Sequence, residues 1–594
     1  MARGTWYYRL TYLQRWVLLG TAIGVVSGVG SAVFYFLLRV NCEFFLGFLA
    51  GFYPPLPEGE RRLRLFDGGG LLPGWALTLI PALGGIISGF IVYHFAPEAE
   101  GHGTDAVIAS FHRLGGAIRK RIPLIKTIAS AVTIGSGGSA GREGPIAQIG
   151  AGFGSWLASL LKLPVRDRRI LVVCGASAGI GSIFKAPLGG AMFGVEVLYR
   201  RDFEVEALIP AFISSVVAYC VFCSIPGVGF KPIFHTPTYT FTHPIELFYY
   251  ALLGLACGLA ARFYVRVFYG LRDLFFRRLP LINHLKPAVG GLLTGLLAFS
   301  VPGILGTSYG WLQLAIYGQL SLTVMAAIFL AKIFATSFTI SSGGSGGVFA
   351  PSLVIGGMLG GVLGLLFSMV SPEVQVGAFV LVGMAALFSG AAKVPIAALI
   401  MVSEMTGNYN LLAPLMLACA LAYIVSGRWT IYESQVLNRA ESPAHRGEYQ
   451  VDILEGLRVE SVMTKKVVTV KPSDPISEFV RLMHSTGHLA YPVVEGGKLV
   501  GIVSLADVLK VPTDEMAERT IGEIMSRKVV TAFPDEKLTT VLARIDDTGY
   551  GHLPVVDRGD PSRLVGIITR KDIITGHEVV RELTRKGEGL PSSL

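Results

Sequence analysis

Apolar runs separated by short polar breaks fill residues 1 to about 432, and the pattern then changes. About ten to thirteen apolar segments can be marked off in this first part. Trp16 to Leu38 is long enough to cross a bilayer, which takes roughly 20 residues. Other segments are too short, among them Leu124 to Ile134, Ile146 to Leu161 and Ala397 to Val402. Short segments bounded by glycine and proline predict half-helices that enter the apolar layer and stop.

The pattern also repeats. Ser136-Gly-Gly-Ser139-x-Gly141-x-x-x-Pro145 returns as Ser342-Gly-Gly-Ser345-x-Gly347-x-x-x-Pro351. Gly175, Ala178, Lys185, Pro187 and Glu196 return, at nearly the same spacing, as Gly383, Ala386, Lys393, Pro395 and Glu404. Chance similarity among glycines does not account for the lysine and glutamate pairs, so this part is duplicated. Duplicated membrane transporters commonly invert one half against the other and place the site between them. The predicted fold is therefore a polytopic α-helical membrane protein with two internally repeated, inverted halves of broken, tilted helices.

From 433 to 457 the chain reads as a polar linker, and beyond it lies a second, shorter repeat. Met463-Thr-Lys-Lys-Val-Val-Thr-Val-Lys-Pro472 returns as Met525-Ser-Arg-Lys-Val-Val-Thr-Ala-Phe-Pro534, and Gly501-Ile-Val-Ser-Leu-Ala-Asp507 as Gly566-Ile-Ile-Thr-Arg-Lys-Asp572. Each copy, 458–512 and 518–577, reads strand, helix, strand, strand, helix. The two should pair into one α/β module, with a polar tail at 578–594.

Composition sharpens the membrane assignment. Of 594 residues, 52% are hydrophobic and 15% charged, against roughly 25% charged in soluble proteins. The 73 glycines suit closely packed, interrupted membrane helices. The net charge of +10 needs no nucleic acid, since basic residues flanking the cytoplasmic ends of spans supply it. Arg3, Arg9 and Arg15 precede a run too long for a cleavable signal, which places the N-terminus in the cytoplasm. Cys220 and Cys223 sit in an apolar helix without partner ligands and read as lipid-buried thiols. The membrane part carries no metal cluster, nucleophile–base pair or phosphate loop, so an enzyme is not expected.

The chemistry concentrates at residues 136–145. Gly135, Gly137, Gly138, Gly141, Gly144 and Pro145 forbid a continuous helix and leave backbone N–H groups free, and Glu143 sits among them. A broken helix with free donors and one titratable acid at membrane depth reads as an ion site. A helix N-cap acid is the competing interpretation of Glu143.

These stretches resemble the CLC family of chloride channels and chloride/proton antiporters. The resemblance rests on Gly141-Arg-Glu-Gly-Pro145, Gly346-Gly-Val-Phe-Ala-Pro351 and Tyr432, with Gly101-His-Gly103 and Ala186-Pro-Leu-Gly-Gly190 in matching order. The tail resembles a tandem CBS pair. The resemblance implies a homodimer in which half-helix N-termini at 101–105, 141–145 and 347–351 face dehydrated chloride. It implies anion contacts at His102, Gly103, Arg142, Gly144, Val348, Phe349 and Tyr432, and a gating role for Glu143. It places the protein in the plasma membrane as a multi-pass protein with both termini cytoplasmic.

Two departures from the family pattern stand out. His102 replaces the serine of the inner anion contact, and Asp105 follows it. The imidazole either donates N–H to an anion, with added positive charge near or below its usual value of roughly 6.5, or points away. Second, Val197 takes the position of the internal proton-handling glutamate, with Glu196 beside it. Glu196 recurs as Glu404, which argues for a shared structural role. Valine there favours a chloride channel gated by voltage and pH through Glu143; a chloride/proton antiporter with an atypical internal proton route is the alternative. A fluoride-exporting relative fits the motif set less well. In the tail, Ser504-x-x-Asp507 and Thr569-x-x-Asp572 either hold an adenine nucleotide (ATP, ADP or AMP) or cap two helices. No cofactor is required, and chloride and the lipid bilayer are the expected partners.

Overall fold

The structure is a computed structural model that describes residues 11–63, 65–66, 70–445, 457–513, 515–576 and 578. Arg3, Arg9, residues 446–456 of the predicted linker and nearly all of the polar tail lie outside these residues. The chain divides into two compact units, Met1–Ala444 and His445–Leu594.

The first unit is helical. Six helices among the described residues are long and apolar enough to cross a membrane: Tyr12–Leu49, Gly74–Phe95, Val205–Cys223, Glu246–Phe276, Leu322–Ser341 and Phe349–Ser368. In chain order its α-helices are α1 Tyr12–Cys42, α2 Ile80–Phe95, α3 Gly103–Arg113, α4 Ile122–Gly135, α5 Glu143–Leu160, α6 Val165–Ile183, α7 Pro187–Glu196 and α8 Leu208–Cys223. The second set follows as α9 Glu246–Gly270, α10 Lys286–Ser300, α11 Tyr309–Ile316, α12 Leu322–Ser341, α13 Phe349–Ser368, α14 Val376–Ala392, α15 Pro395–Thr406 and α16 Leu412–Ser426. Helix by helix the second set repeats the first. The predicted half-helices appear as α4, α5 and α15, and proline opens α2, α4, α7, α10 and α15, where its missing N–H costs nothing.

Reciprocal contacts show that the halves are inverted. Gly141 N–H donates to Gly347 O (2.8 Å) and Gly347 N–H to Gly141 O (2.7 Å), an antiparallel pairing of one motif with its own repeat. Gly85 of α2 lies on the Pro287 carbonyl of α10, while Gly291 of α10 lies on the Pro81 carbonyl of α2. Glu196, at the end of α7, accepts from the N–H groups of Ile396 (3.2 Å) and Ala397 (2.7 Å), which open α15. Glu404, near the end of α15, accepts from Leu188 (3.2 Å) and Gly189 (2.7 Å), which open α7. Each helix thus supplies the carboxylate cap for the free N–H groups of its repeat, as only an antiparallel pair related by a two-fold can do.

The duplicated lysines hold turns. Lys185 and Lys393 follow α6 and α14 in left-handed backbone (φ 52° and 61°), a conformation that non-glycine residues adopt at some cost. Both side chains are tied down. Lys185 Nζ donates to the carbonyls of Val228 and Lys231, each at 3.0 Å, and Lys393 Nζ to Tyr423 O (3.1 Å) and Ser426 Oγ (2.5 Å).

The second unit contains two antiparallel hairpins, β1 Ala490–Glu495 with β2 Lys498–Ser504 and β3 His552–Val556 with β4 Leu564–Thr569. Both carry a register shift at the same place, between Val493 and Val494 and between Val555 and Val556. The predicted first strand of each copy shrinks to one bridge, Val470 to Val493 and Ala532 to Val555. Pro472 and Pro534 follow closely and have no N–H to extend a ladder. The two cores exchange their leading segments. Leu457 and Val459 pack with Leu538, Val541 and Leu553 of the second copy. Ile521 packs with Ile476, Phe479 and Tyr491 of the first.

Candidate functional site

Three helix N-termini meet at the centre of the first unit, and their approach is set by glycine. Gly103 opens α3 and stands against the Gly144 carbonyl, which a Cβ would meet at 2.5 Å; a Cβ on Gly144 would in turn come within 3.1 Å of Gly103 N, Gly346 O and Gly347 Cα. A Cβ at Gly141 or Gly347 would run into the Glu143 carboxylate. Side chains at these positions would force apart the ends of α3, α5 and α13.

Buried polar groups hold the loops that lead into these helices. Lys126 of α4 donates to Ala99 O (2.9 Å) and Gly101 O (2.7 Å), directly before His102. Its repeat counterpart, Lys332 of α12, donates to Ile304 O (2.8 Å), Gly306 O (2.8 Å) and Ser308 Oγ (2.7 Å), directly before α11. Ser345 Oγ also reaches Ala99 O (2.9 Å) and pairs with Ser130 (2.9 Å). Sequence reasoning missed the two lysines, although they stand at the spacing that relates Ser136 to Ser342 in the two glycine-rich motifs.

Glu143 is 1% exposed. One carboxylate oxygen accepts the Phe349 N–H at the start of α13, and the other has no hydrogen-bond partner. The carboxylate therefore takes a backbone donor at the N-terminus of α13, which an acid capping only its own helix would not do.

Tyr432 is fully buried and sits beside His102, ring centroids 5.6 Å apart. Asp105 places it there, accepting from Ser434 N (2.8 Å) and Ser434 Oγ (2.7 Å) and so tying α3 to the segment that carries Tyr432. Ile431 N–H donates to Ala391 O (2.8 Å) and Tyr269 Oη to Ile431 O (2.6 Å). The hydroxyls of Tyr432 and Thr104 are buried and lie near each other, with no other hydrogen-bond partner.

Arg142 belongs to the other side of this region. Its guanidinium pairs with Glu60 (2.7 Å) and lies over the rings of Tyr35, Phe184 and Tyr309. Of the side chain expected among the anion contacts, only Nε and Nη2 keep no hydrogen-bond partner. Glu60 carries no sequence motif and could not have been foreseen. Val348 is buried one residue ahead of α13, and Val197 is buried at the end of α7, where its carbonyl accepts from Gln435 (2.9 Å).

In the second unit the two Ser/Thr-x-x-Asp stretches form matched caps. Ser504 donates through N–H (3.0 Å) and Oγ (2.7 Å) to Asp507, and Thr569 through N–H (2.9 Å) and Oγ1 (2.8 Å) to Asp572. Both hydroxyl residues are engaged by their own turns.

The profile of the family described as "Voltage gated chloride channel" matches residues 84–427, which include all three helix ends. The chain belongs to the CLC family. Its tail matches the CBS domain twice, at 459–514 and 521–576. Among curated relatives, the chain is 32% identical over 363 residues to a "Putative chloride channel protein ClcB-like" of Ralstonia nicotianae, covering 60% of this chain and 83% of that one. It is 31% identical over 368 residues to an "H(+)/Cl(-) exchange transporter ClcA" of Cronobacter sakazakii, covering 59% and 77%. A solved "slow cyanobacterial Cl-/H+ antiporter" shares the fold with a TM-score of 0.62 at 24% identity, covering 70% of this chain and 96% of that one.

Proposed function

We propose that this CLC-family chain exchanges chloride for protons across a membrane. The carrying observation is Glu143: its carboxylate holds the Phe349 N–H that an anion would need. A charged carboxylate and a chloride exclude each other at that amide. Protonation neutralises the acid, weakens its hold on the N–H group and frees the position for chloride. Proton and anion then take turns at one place, which is the physical core of coupled exchange.

Val197 pointed to a passive channel, with exchange as the alternative. Exchange is the better-supported reading, because relatives matched over three quarters or more of their length include proteins named as H(+)/Cl(-) exchangers. Glu196 does not fill the gap left by Val197, since its carboxylate is committed to capping α15. The rest of the reading follows the family: a homodimer in the plasma membrane with both ends in the cytoplasm, and a tail that takes an adenine nucleotide at Ser504, Asp507, Thr569 and Asp572. Nucleotide would have to compete with two formed caps, so a rise in melting temperature of the full chain with ATP, ADP or AMP supports it and an unchanged one counts against it.

The test of exchange uses the purified chain in liposomes. A chloride gradient should drive protons uphill in the opposite direction, and Glu143→Gln should abolish that uptake while chloride still moves. Chloride movement with no proton uptake in the unaltered protein would return the channel.

A further inference from the structure

The internal glutamate position is valine and its neighbour Glu196 is locked in a cap, so an exchanger of this build needs another group to bring protons to Glu143. One titratable side chain lies between a charged cavity and the helix ends beside Glu143. His102 lines a cavity of about 1110 Å³, together with Glu98, Glu100, Asp105, Arg272 and Lys286. The charged lining makes this a space for water. The imidazole also meets Phe268, which lines the same cavity, at 5.8 Å, and Tyr432, which does not, at 5.6 Å between centroids. The next residue, Gly103, lies directly on Gly144, adjacent to Glu143.

The charged groups around the imidazole are already engaged. Asp105 holds Ser434, Lys126 holds the carbonyls of Ala99 and Gly101, and Arg272 pairs with Glu433 (2.7 Å) and Asp273 (2.8 Å). His102 Nδ1, by contrast, is buried and has no hydrogen-bond partner. An imidazole has two ring nitrogens and can take a proton on one while releasing one from the other.

We propose that His102 carries protons between this cavity and Glu143, an assignment that rests on the exchange reading above. A hydronium in the cavity protonates the imidazole and leaves water. The imidazolium N–H then gives its proton to a water in the pathway as that water passes one of its own to the Glu143 carboxylate. Imidazole and water end as they began, and one proton has reached the acid. Protonated Glu143 releases the Phe349 N–H and chloride can take it.

The experiment compares the full chain with His102→Ser and His102→Gln in liposomes, reading chloride flux and proton flux separately. Serine keeps a small hydroxyl donor, and glutamine keeps the approximate size and an N–H donor, but neither holds a proton near neutral pH. In both variants proton flux per chloride should fall about a hundredfold, the low side of what a positioned proton-transfer group contributes, measured against whatever chloride flux the variant keeps. Should the serine variant fail to fold, glutamine decides. If the unaltered protein is coupled and the variants are equally coupled, His102 is not the carrier and exchange stands. Loss of both fluxes in glutamine would make His102 an anion contact and overturn the proposal. An uncoupled unaltered protein would overturn exchange itself, and His102 with it.

Discussion

The two glycine-rich turns at 136–145 and 342–351 are copies with the same backbone and different chemistry. They pair with each other through Gly141 and Gly347, and each opens a helix toward the same point. The first turn brings a carboxylate, Glu143. The second brings hydrophobic side chains, Val348 and Phe349, and offers a backbone N–H instead. The two-fold builds the cradle, and the copies differ within it, with Arg142-Glu143 in one and Val348-Phe349 in the other. Had both copies carried an acid, two carboxylates would compete for one small space and one would stay protonated.

The most disruptive way to break the comparison is to make the copies alike. Glu143→Gln removes the titrating group and leaves a second neutral turn. Proton coupling should disappear completely, and chloride flux should lose its pH dependence, measured as chloride efflux across the pH range. A retained pH response would take that role away from Glu143.

Next come the paired lysines. Lys332→Met strands the Ile304 and Gly306 carbonyls, at about 1–3 kcal/mol for each buried group left unpaired, whereas the carbonyls that Lys126 holds keep second donors in Ser345 Oγ and the Gly346 N–H. Both Lys126→Met and Lys332→Met should lower the thermal stability of the detergent-solubilised protein, Lys332→Met the more. Only Lys126→Met should also weaken chloride binding in calorimetry, because its carbonyls lead into His102. Equal effects on binding would mean that the second copy also shapes the anion position.

The reciprocal caps should behave symmetrically. Glu196→Ala and Glu404→Ala each remove a carboxylate from a helix N-terminus, a loss on the order of 1–2 kcal/mol. Unfolding in denaturant should show similar destabilisation for both, and Glu196→Gln should keep its proton coupling in liposomes. Loss of coupling there would move the proton route from His102 to Glu196.

The smallest effect lies in the tail. Burial, with His488 nearby adding to it, holds the His552 imidazole below its ordinary value. The folded state therefore binds fewer protons than the unfolded chain, so stability present at neutral pH is lost as pH falls below about 6.5. The protection factors of the amides in the strand His552–Val556 should fall in acid, and His552→Gln should flatten that response.

Much of the scaffold was legible because duplication leaves its mark on the residues that make it work. Glycines at the helix crossings, prolines at helix starts, Lys185 with Lys393 and Glu196 with Glu404 all recur at nearly one spacing. The function of the glutamate pair was legible only in part. Recurrence suggested a structural role, but the exchange of caps depends on an inversion that sequence spacing does not reveal. Glu60 against Arg142, Asp105 against Ser434 and Gln435 against the end of α7 were not legible, because each joins residues distant in the chain with no counterpart in the repeat. His102 was visible as a departure, but the side it faces depended on the cavity.

The central claim is that protons and chloride take turns at the Phe349 N–H, and a reversal potential tests it most directly. With equal chloride on both sides of a bilayer and a pH difference across it, the current should reverse away from zero, and should return to zero in Glu143→Gln. A reversal at zero in the unaltered protein would contradict it.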